Sequence, residues 1–579
     1  MPELYLAHVI QEVKHAYPLS GNSMYSNSFR TSVQSPVFTL VFALLFILLP
    51  RTTHAEDAWL RLHGSLGAST DYFQGNSTLP ALDPVHRASF TISLTLFNQV
   101  ELPFTAYITN RSGAGYSQPF SQIGVSPKIG DWLQLHGGYF NKNYSEFTLG
   151  DVRLLGGGAD ITSKKFQVSA LYGYSLLARA PDSSQNFGGT YDRRIIGGRF
   201  GFTSEQSIFA VTIVHAQDVQ SSIIPTASTH LQYENFLTSL SYSGSIIENV
   251  LDVNAEAGLS LFNANTNSML ADSANRITEL ESLVGFNSSS SMDAAFRFGA
   301  GVNFSESFSI RGNFRWVGPG FISLGYNQLL NDALDVTVSP SLRLFDNSLT
   351  LSGSIGSRSN NLRGLKESTT SQLIGSAAVN AQLTQQIAID ASYSNFGMRS
   401  TAINDTVRMS NIAQFFSLSP RVNFQLFGAT NSASVSAQYQ ASEDRTQFSE
   451  RAINNRNTTL SAMHSIAFES SLSFTTLAMK NSGEIGGTTG ISTSITTINE
   501  TIGYSIFDKA LALNASLGMN FIKAVTENSQ IFVRGTASYS AGAWGNFSLS
   551  LMSNSYNYSA TGALSYSEMQ ASLQYGVSF

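Results

Sequence analysis

The chain has no cysteine among its 579 residues, and only 12% of its residues are charged. Without cysteine there are no disulfide bonds, no thiolate metal sites and no lipid anchor on a cysteine. The charged share is about half of the roughly 25% found in soluble proteins, and serine, asparagine, threonine and glycine take its place. The formal net charge of −6 shows no basic excess. We therefore expect no nucleic-acid partner.

Long apolar runs are scarce as well. The one long run, from Val37 to Leu49, is shorter than the roughly 20 residues that a membrane-spanning helix needs. Thr53-His54-Ala55 follows it as a small-x-small cleavage sequence, which predicts a secretory signal peptide over residues 1–55. Because the region before the apolar run is unusually long for a signal peptide, Met24 is the expected true start. The mature domain is then residues 56–579.

The mature chain has short stretches in which apolar and polar residues alternate. Residues 89–96 read Ser-Phe-Thr-Ile-Ser-Leu-Thr-Leu, and residues 511–521 alternate in the same way. Such runs have about the nine to eleven residues that a tilted strand needs to cross a bilayer. One apolar face and one small, polar face suit a wall between lipid and water. The pattern predicts transmembrane β-strands, with a soluble, secreted β-protein as the alternative.

Tight turns are predicted between these strands, and longer polar loops separate one turn from the next. The predicted turns lie near Gln99, Gly130, Lys164, Glu205, Glu248, Glu306, Asn347, Gln385, Ala429, Glu469, Asp508 and Gly545. These turns and the two chain ends imply about 26 strands, within a range of about 24 to 28. The predicted fold is all-β: a transmembrane antiparallel β-barrel with short periplasmic turns and longer extracellular loops.

The last nine residues form a distinctive strand that ends on an aromatic residue. Its apolar face comprises Ala571, Leu573, Tyr575, Val577 and Phe579. It resembles the closing strand of bacterial outer-membrane barrels, where the terminal aromatic and the alternating hydrophobes are the assembly signal. The resemblance implies an outer-membrane location, contact with outer-membrane lipid and recognition by the barrel-assembly machinery.

A block rich in glycine and aromatic residues extends from Pro119 to Asp160. Its characteristic residues are Pro119, Phe120, Gly124, Ser126, Pro127, Trp132, Gly137, Gly138, Tyr139, Ser145, Thr148, Gly150 and Gly156 to Gly158. Together with Leu102-Pro103-Phe104 and Tyr172-Gly173-Tyr174, the block resembles uncharacterised outer-membrane barrels of the Bacteroidota and Chlorobiota. The resemblance covers about the first third of the mature chain, implies the barrel fold and adds little about function.

Four arginines are the candidate pore-lining residues. By alternation, the side chains of Arg297, Arg311, Arg315 and Arg343 point inward from three adjacent strands. Such a positive wall would attract anionic solutes, or lipid and sugar phosphates. Alternatively, the arginines pair with Asp293 and Asp335 in a structural network. Both interpretations remain open on the sequence alone.

One loop also carries a helical pattern, because apolar residues recur at helical spacing from Ser268 to Val284. The sequence predicts a short helix there, either capping the rim of the barrel or constricting the lumen. A barrel of about 26 strands encloses a wide lumen, so we expect loops, a flattened cross-section, or a plug or accessory protein to fill it.

The histidines lack the spacing of a metal site, and no phosphate-binding loop is present, so we expect no metal and no cofactor. His63 and His136 are expected to face the lumen, where a serine–histidine pairing is conceivable, but we predict that the protein is not an enzyme.

The leading hypothesis for the function is a passive or gated channel for hydrophilic solutes, anions among them. The alternative is a non-conducting scaffold for surface or secretion machinery, and an outer-membrane enzyme comes third.

Overall fold

A computed structural model describes the mature domain apart from several loops. The described residues are 60–75, 84–97, 99–109, 122–182, 187–226, 229, 231–268, 287–326, 328–402, 409–445, 454–486, 490–559 and 565–579. The predicted signal peptide, Met24 and the predicted loop helix beyond Ser268 lie outside them. Within them, no helix is long and apolar enough to cross a membrane.

Almost all of the described chain is β-strand. The strands are β1 (Leu60–Gly75), β2 (Val85–Leu96), β3 (Val100–Thr109), β4 (Gln122–Val125), β5 (Lys128–Ile129), β6 (Leu133–Lys142), β7 (Val152–Thr162), β8 (Phe166–Leu176), β9 (Asp192–Thr203), β10 (Ser207–Val219), β11 (Glu234–Ile247), β12 (Leu251–Asn263), β13 (Ser290–Asn303), β14 (Phe308–Val317), β15 (Ala333–Leu344), β16 (Leu349–Ser359), β17 (Ser368–Gln382), β18 (Ile387–Ala402), β19 (Met409–Leu426), β20 (Ala429–Asp444), β21 (Asn455–Phe468), β22 (Leu472–Ile485), β23 (Ile491–Ile506), β24 (Leu511–Lys523), β25 (Glu527–Ser540), β26 (Asn546–Tyr558) and β27 (Tyr566–Ser578). Two short 3₁₀ helices, Gln220–Ser222 and Gly542–Trp544, complete the described elements.

The strands form one closed antiparallel barrel. Each strand pairs with the next, and β27 pairs back with β1, where Leu66 lies opposite Val577. The backbones of Gly64 and Phe579 exchange hydrogen bonds of 2.7 and 3.0 Å at this seam. The short segments β4 and β5 both pair with β3 on one side and β6 on the other, so the 27 segments make 26 barrel strands. The predicted fold and strand number are confirmed.

The tight turns lie together at one end of the barrel. They connect β2 to β3, β5 to β6 and then every second pair up to β25 and β26, at or next to each of the predicted positions. Several contain asparagine or aspartate with positive φ, such as Asn249 (59°), Asn347 (69°) and Asp508 (53°). These residues tolerate the left-handed conformation that tight hairpins require. The opposite end carries the longer connections, except for residues 524–526 between β24 and β25.

The two faces of the barrel wall differ as the alternation predicts. Outward side chains such as Leu517 and Leu573 are apolar and more than half exposed, as a lipid-facing band requires. Ile195 and Val214 are fully buried, whereas their outward neighbours Ile196 and Ile213 are 44% and 47% exposed. The buried hydrophobic core of this protein therefore lies inside the barrel, against the inward face of the wall.

Candidate functional site

Two loops fold into the lumen and create this internal core. Residues 143–151 connect β6 to β7, and residues 318–326 and 328–332 are the described part of the connection from β14 to β15. Phe147 of the first loop and Phe321 of the second are almost completely buried, with their ring centroids 5.7 Å apart in an edge-to-face arrangement. They pack with the inward side chains Leu154, Leu171, Ile195, Val214, Leu237, Ala295 and Val317. We call these two segments the lumen loops.

The lumen loops also bond to each other. The backbone N–H of Gly150 donates to the carbonyl of Gly325 at 3.0 Å, and Ser323 Oγ donates to the carbonyl of Thr148 at 2.8 Å. A Cβ at Gly325 would lie 2.3 Å from that same Thr148 oxygen, so glycine is needed for this approach. The two loops consequently behave as one packed unit.

Buried polar groups on the wall hold this unit in place. Asn235 Oδ1 accepts a hydrogen bond from the backbone N–H of Leu324 at 3.0 Å, and Ser260 Oγ donates to the Ile322 carbonyl at 2.6 Å. Both wall residues are fully buried. A buried polar group that lost its partner would pay a desolvation cost of about 1–3 kcal/mol. These bonds therefore specify one position for the second lumen loop.

The first lumen loop adds a partly buried phenol and a carboxylate. The hydroxyl of Tyr144 lies 2.7 Å from Ser169 Oγ, and burial raises the pKa of Tyr144 to about 12. The phenol therefore stays neutral at ordinary pH. Two residues further on, Glu146 lies among arginines of the barrel wall.

Arg297 and Arg315 lie opposite each other on β13 and β14. Like charges directly opposite on neighbouring strands repel, and carboxylates surround this pair. Glu146 contacts Arg315 at 2.6 Å and Arg297 at 3.8 Å. Glu256 contacts Arg297 at 3.1 Å, and Asp335 contacts Arg315 at 3.2 Å.

Arg358 completes this network through an ion pair with Asp335. Three arginines thus face three carboxylates, and the local charge is balanced. We call this set the arginine network; its members are Glu146, Glu256, Arg297, Arg315, Asp335 and Arg358. Through Glu146, the arginine network fastens the first lumen loop to the barrel wall.

The other two predicted arginines lie outside the network. Arg311 and Arg343 are exposed, on inward positions nearer the turn end, and neither forms an ion pair with a described residue. Asp293 also lies outside the network: it contacts Arg363 at 2.9 Å and accepts a hydrogen bond from the backbone N–H of Gly320 at 2.7 Å. Of the two aspartates that the sequence offers as partners, Asp335 pairs with a candidate arginine and Asp293 does not.

Asp332 marks the end of the second lumen loop. It pairs with Lys366 and accepts hydrogen bonds from the backbone N–H groups of Asn361 and Leu362 at 3.0 and 2.8 Å. Burial raises the pKa of this carboxyl, but the lysine and the two amides outweigh it and hold the pKa below its usual value. The connection between β16 and β17 therefore clamps the loop while Asp332 is ionised.

A serine–histidine–aspartate chain lies on the inward face near the interrupted strand. Ser126, between β4 and β5, places Oγ 2.9 Å from His136 Nδ1, and His136 Nε2 lies 2.8 Å from Asp160 Oδ2. Lys142 also donates to Asp160 at 2.5 Å, and the imidazole stacks on Phe140. In a hydrolytic triad the serine contacts Nε2 and the aspartate contacts Nδ1. The orientation here is the reverse, and a lysine shares the aspartate.

The predicted assembly strand lies at the closing seam. Val577 is buried against β1, whereas Leu573 is more than half exposed on the outer face. The Tyr575 hydroxyl donates to the Trp544 carbonyl at 3.0 Å, and its ring lies 4.7 Å from that of Phe547. Phe579 ends the strand with the backbone bonds to Gly64 described above.

The remaining inner wall, on β17–β27 and β1–β3, is mainly small and uncharged. Hydroxyl pairs bridge adjacent strands there: Ser392 with Ser417 and Ser436 with Ser461 at 2.7 Å, and Thr501 with Ser516 at 2.9 Å. No described loop residue packs a hydrophobic core against this side. The described part of the lumen thus has a filled side and a hydrophilic side.

No protein-family model and no curated protein matches this sequence. Among solved structures, the ferric preacinetobactin receptor BauA from Acinetobacter baumannii is similar at 9% identity and a TM-score of 0.37, over 89% of this chain and 80% of that one. A BenF-like porin from Pseudomonas fluorescens Pf-5 is similar at 11% identity and a TM-score of 0.29, over 90% and 99% of the two chains. OpdK from Pseudomonas aeruginosa with vanillate is similar at 9% identity and a TM-score of 0.30, over 60% and 94%.

Proposed function

We propose that this protein is a gated channel for hydrophilic solutes in the bacterial outer membrane, and that the lumen loops are its gate. The observation that carries this proposal is the division of the lumen. One side is filled by two loops fastened through ion pairs and hydrogen bonds, and the other is lined by hydroxyl and amide side chains. A polar lumen inside an apolar outer band is the arrangement of a water-filled barrel.

The ion pairs of the gate favour reversible opening. Glu146 and Arg297 keep 29% and 41% of their side-chain surface exposed, so water and salt reach them. Partly exposed ion pairs contribute little net stability and weaken as salt screens them. Weakening the arginine network should therefore loosen the packed lumen loops without unfolding the barrel wall.

Conductance in a planar lipid bilayer tests the proposal. We expect the purified barrel to conduct ions and to show discrete transitions between lower and higher conductance. The second candidate is a non-conducting scaffold for surface or secretion machinery, for which we expect no current across the bilayer.

Heat-modifiable gel mobility of the detergent-extracted outer-membrane fraction tests the location of the protein. A protein found only in the soluble secreted fraction would contradict the membrane assignment.

We propose a channel rather than an enzyme because Lys142 and the reversed imidazole orientation make the Ser126–His136–Asp160 chain a poor nucleophile system. The ammonium group of Lys142 donates a hydrogen bond to Asp160 and balances the charge of its carboxylate. Asp160 therefore does less to stabilise a positive charge on His136. Esterase assays with short-chain and long-chain nitrophenyl esters test this. Ester hydrolysis that disappears in Ser126→Ala would favour the enzyme.

A further inference from the structure

A second site lies at the closing seam, on the hydrophilic side of the lumen. Residues of β25, β26, β27, β1 and β2, most of them at inward positions, line an open cavity of about 590 Å³. This volume falls within the range of small-molecule sites, roughly 300–1,000 Å³. The cavity is separate from the arginine network, which lies on β12–β16.

The register of the strands builds the cavity from two neighbouring rows of side chains. The first row runs across four strands, with Arg534 opposite Met552, Met552 opposite Gln570, and Gln570 opposite Phe73. The second row runs parallel to it and consists of Thr536, Ser550, Ser572 and Asp71. One guanidinium, one amide, three hydroxyls and the carboxylate of Asp71 therefore line a space that also contacts an aromatic ring and a thioether.

The charges in the cavity are not balanced. Arg87 is neutralised by its ion pair with Asp71. Arg534 forms no ion pair with any described residue, and its Nη2 donates to Met552 Sδ at 3.5 Å. A thioether is a weak acceptor, and a guanidinium offers five N–H donors in a fixed fork. The cavity thus presents a net positive charge with most of its donors available.

We propose that this cavity binds a small hydroxylated carboxylate, with Arg534 as its anchor. The guanidinium fork matches the two oxygens of a carboxylate. Thr536, Ser550, Ser572 and Gln570 can bond hydroxyl groups of the same molecule, and Phe73 and Met552 contact its carbon skeleton. The site deepens the proposed channel function and rests on it only for access, because a solute reaches this wall through the lumen.

Calorimetric titration of the purified full-length barrel in detergent tests the site without requiring conduction. The probes are gluconate and glucose, a hydroxylated carboxylate and its neutral counterpart, together with inorganic phosphate. We expect gluconate to bind and glucose to bind far more weakly. Arg534→Gln should lower the affinity for gluconate about tenfold to a hundredfold, the usual worth of hydrogen bonds to a charged group. Arg534→Lys should restore part of it.

Arg421→Gln serves as the matched control, because Arg421 is an exposed inward arginine on β19, away from the cavity. It should leave the gluconate affinity unchanged. Equal binding of gluconate and glucose, equal affinity in wild type and Arg534→Gln, or tighter binding of phosphate than of gluconate would each overturn the proposal. Gluconate binding by a barrel that does not conduct would reject the channel and leave the site in place.

Discussion

Arg297 and Arg315 lie directly opposite each other in the lumen, and Glu146 from a loop contacts both guanidinium groups. Two like charges at paired positions of a sheet destabilise it unless a counter-charge lies nearby. The wall supplies Glu256 and Asp335, and the loop supplies the remaining carboxylate. The attraction between this arginine pair and Glu146 therefore adds to the core packing of Phe147 in holding the inserted loop in the lumen.

Replacing Glu146 with glutamine should loosen the first lumen loop. The change removes the charge and keeps the size, so Arg297 and Arg315 lose their shared counter-charge while packing is conserved. We expect a larger fraction of time in the high-conductance state, and a loss of loop stability of roughly 0.2–1 kcal/mol, as for other partly exposed ion pairs. Single-channel recording at low salt measures the first effect.

The matched control for that variant is Glu443→Gln. Glu443 forms its ion pair with Arg445 at 3.0 Å, away from the lumen loops. It removes one paired carboxylate without touching the gate, so its recordings should match those of the wild type. Equal open fractions in Glu146→Gln and Glu443→Gln would show that Glu146 does not hold the gate.

The four candidate arginines should separate into two functional pairs. Arg311 and Arg343 have no ion pair among the described residues, so Arg311→Gln with Arg343→Gln should move the reversal potential toward cation preference. This shift should shrink at high salt, because screening acts over about 10 Å at 0.1 M. Arg297→Gln with Arg315→Gln should instead raise the open fraction and lower heat stability. The same reversal-potential shift in both double variants would contradict this division.

Acid should weaken the second lumen loop through Asp332. Because the pKa of Asp332 is lowered in the folded protein, its ionised form stabilises the loop above the ordinary aspartate pKa of about 3.9. That contribution is lost as the pH falls through the lower, folded-state pKa. We expect the open fraction to rise on acidification in the wild type, and Asp332→Asn to show a raised open fraction already at pH 7 with a flatter acid response. If the wild type and Asp332→Asn respond to acid in the same way, a titratable group other than Asp332 causes the response.

The closing strand should be needed for membrane insertion. Deleting Phe579, or replacing both Tyr575 and Val577 with aspartate, should block insertion without blocking secretion. A charged residue on the lipid face costs roughly 2–4 kcal/mol for lysine or arginine at the bilayer midplane, about 0–1 kcal/mol near the interfaces, and less for aspartate. Because Tyr575 and Val577 lie near the turn end, we expect failed recognition to dominate. Comparison of periplasmic and outer-membrane fractions measures the outcome. Ser572→Asp and Gln574→Asp, on the inward face of the same strand, should insert normally. Wild-type membrane levels of the Phe579 deletion would reject the assembly role.

The barrel could be predicted from the sequence because its two determinants are local. Alternation assigns each side chain to one face, and turn chemistry at residues such as Asn347 and Asp508 sets the hairpins. The opposition of Arg297 and Arg315 follows from counting back from the turn at Glu306. These properties need no knowledge of distant contacts.

The gate could not be predicted in this way because it depends on contacts between remote segments. Nothing in the sequence near Glu146 indicates that it meets arginines about 150 residues further along the chain. Only the closed barrel brings these segments together. The sequence did contain one signal: Ser145, Thr148 and Gly150 belong to the glycine-rich and aromatic block, and the structure places them in the first lumen loop. Their small size and the buried Thr148 carbonyl allow the loops to pack closely.

A disulfide between the first lumen loop and the barrel wall would show whether movement of the lumen loops opens the channel. The chain has no cysteine, so Phe147→Cys with Gly258→Cys introduces a single pair. A Cβ at residue 258 would lie 3.1 Å from that of Phe147, slightly closer than the usual 3.5–4.5 Å in disulfides. We predict that the oxidised protein stays in the low-conductance state and that a reductant restores transitions to the high-conductance state. Identical currents before and after reduction of a verified disulfide would show that the lumen loops do not gate the channel.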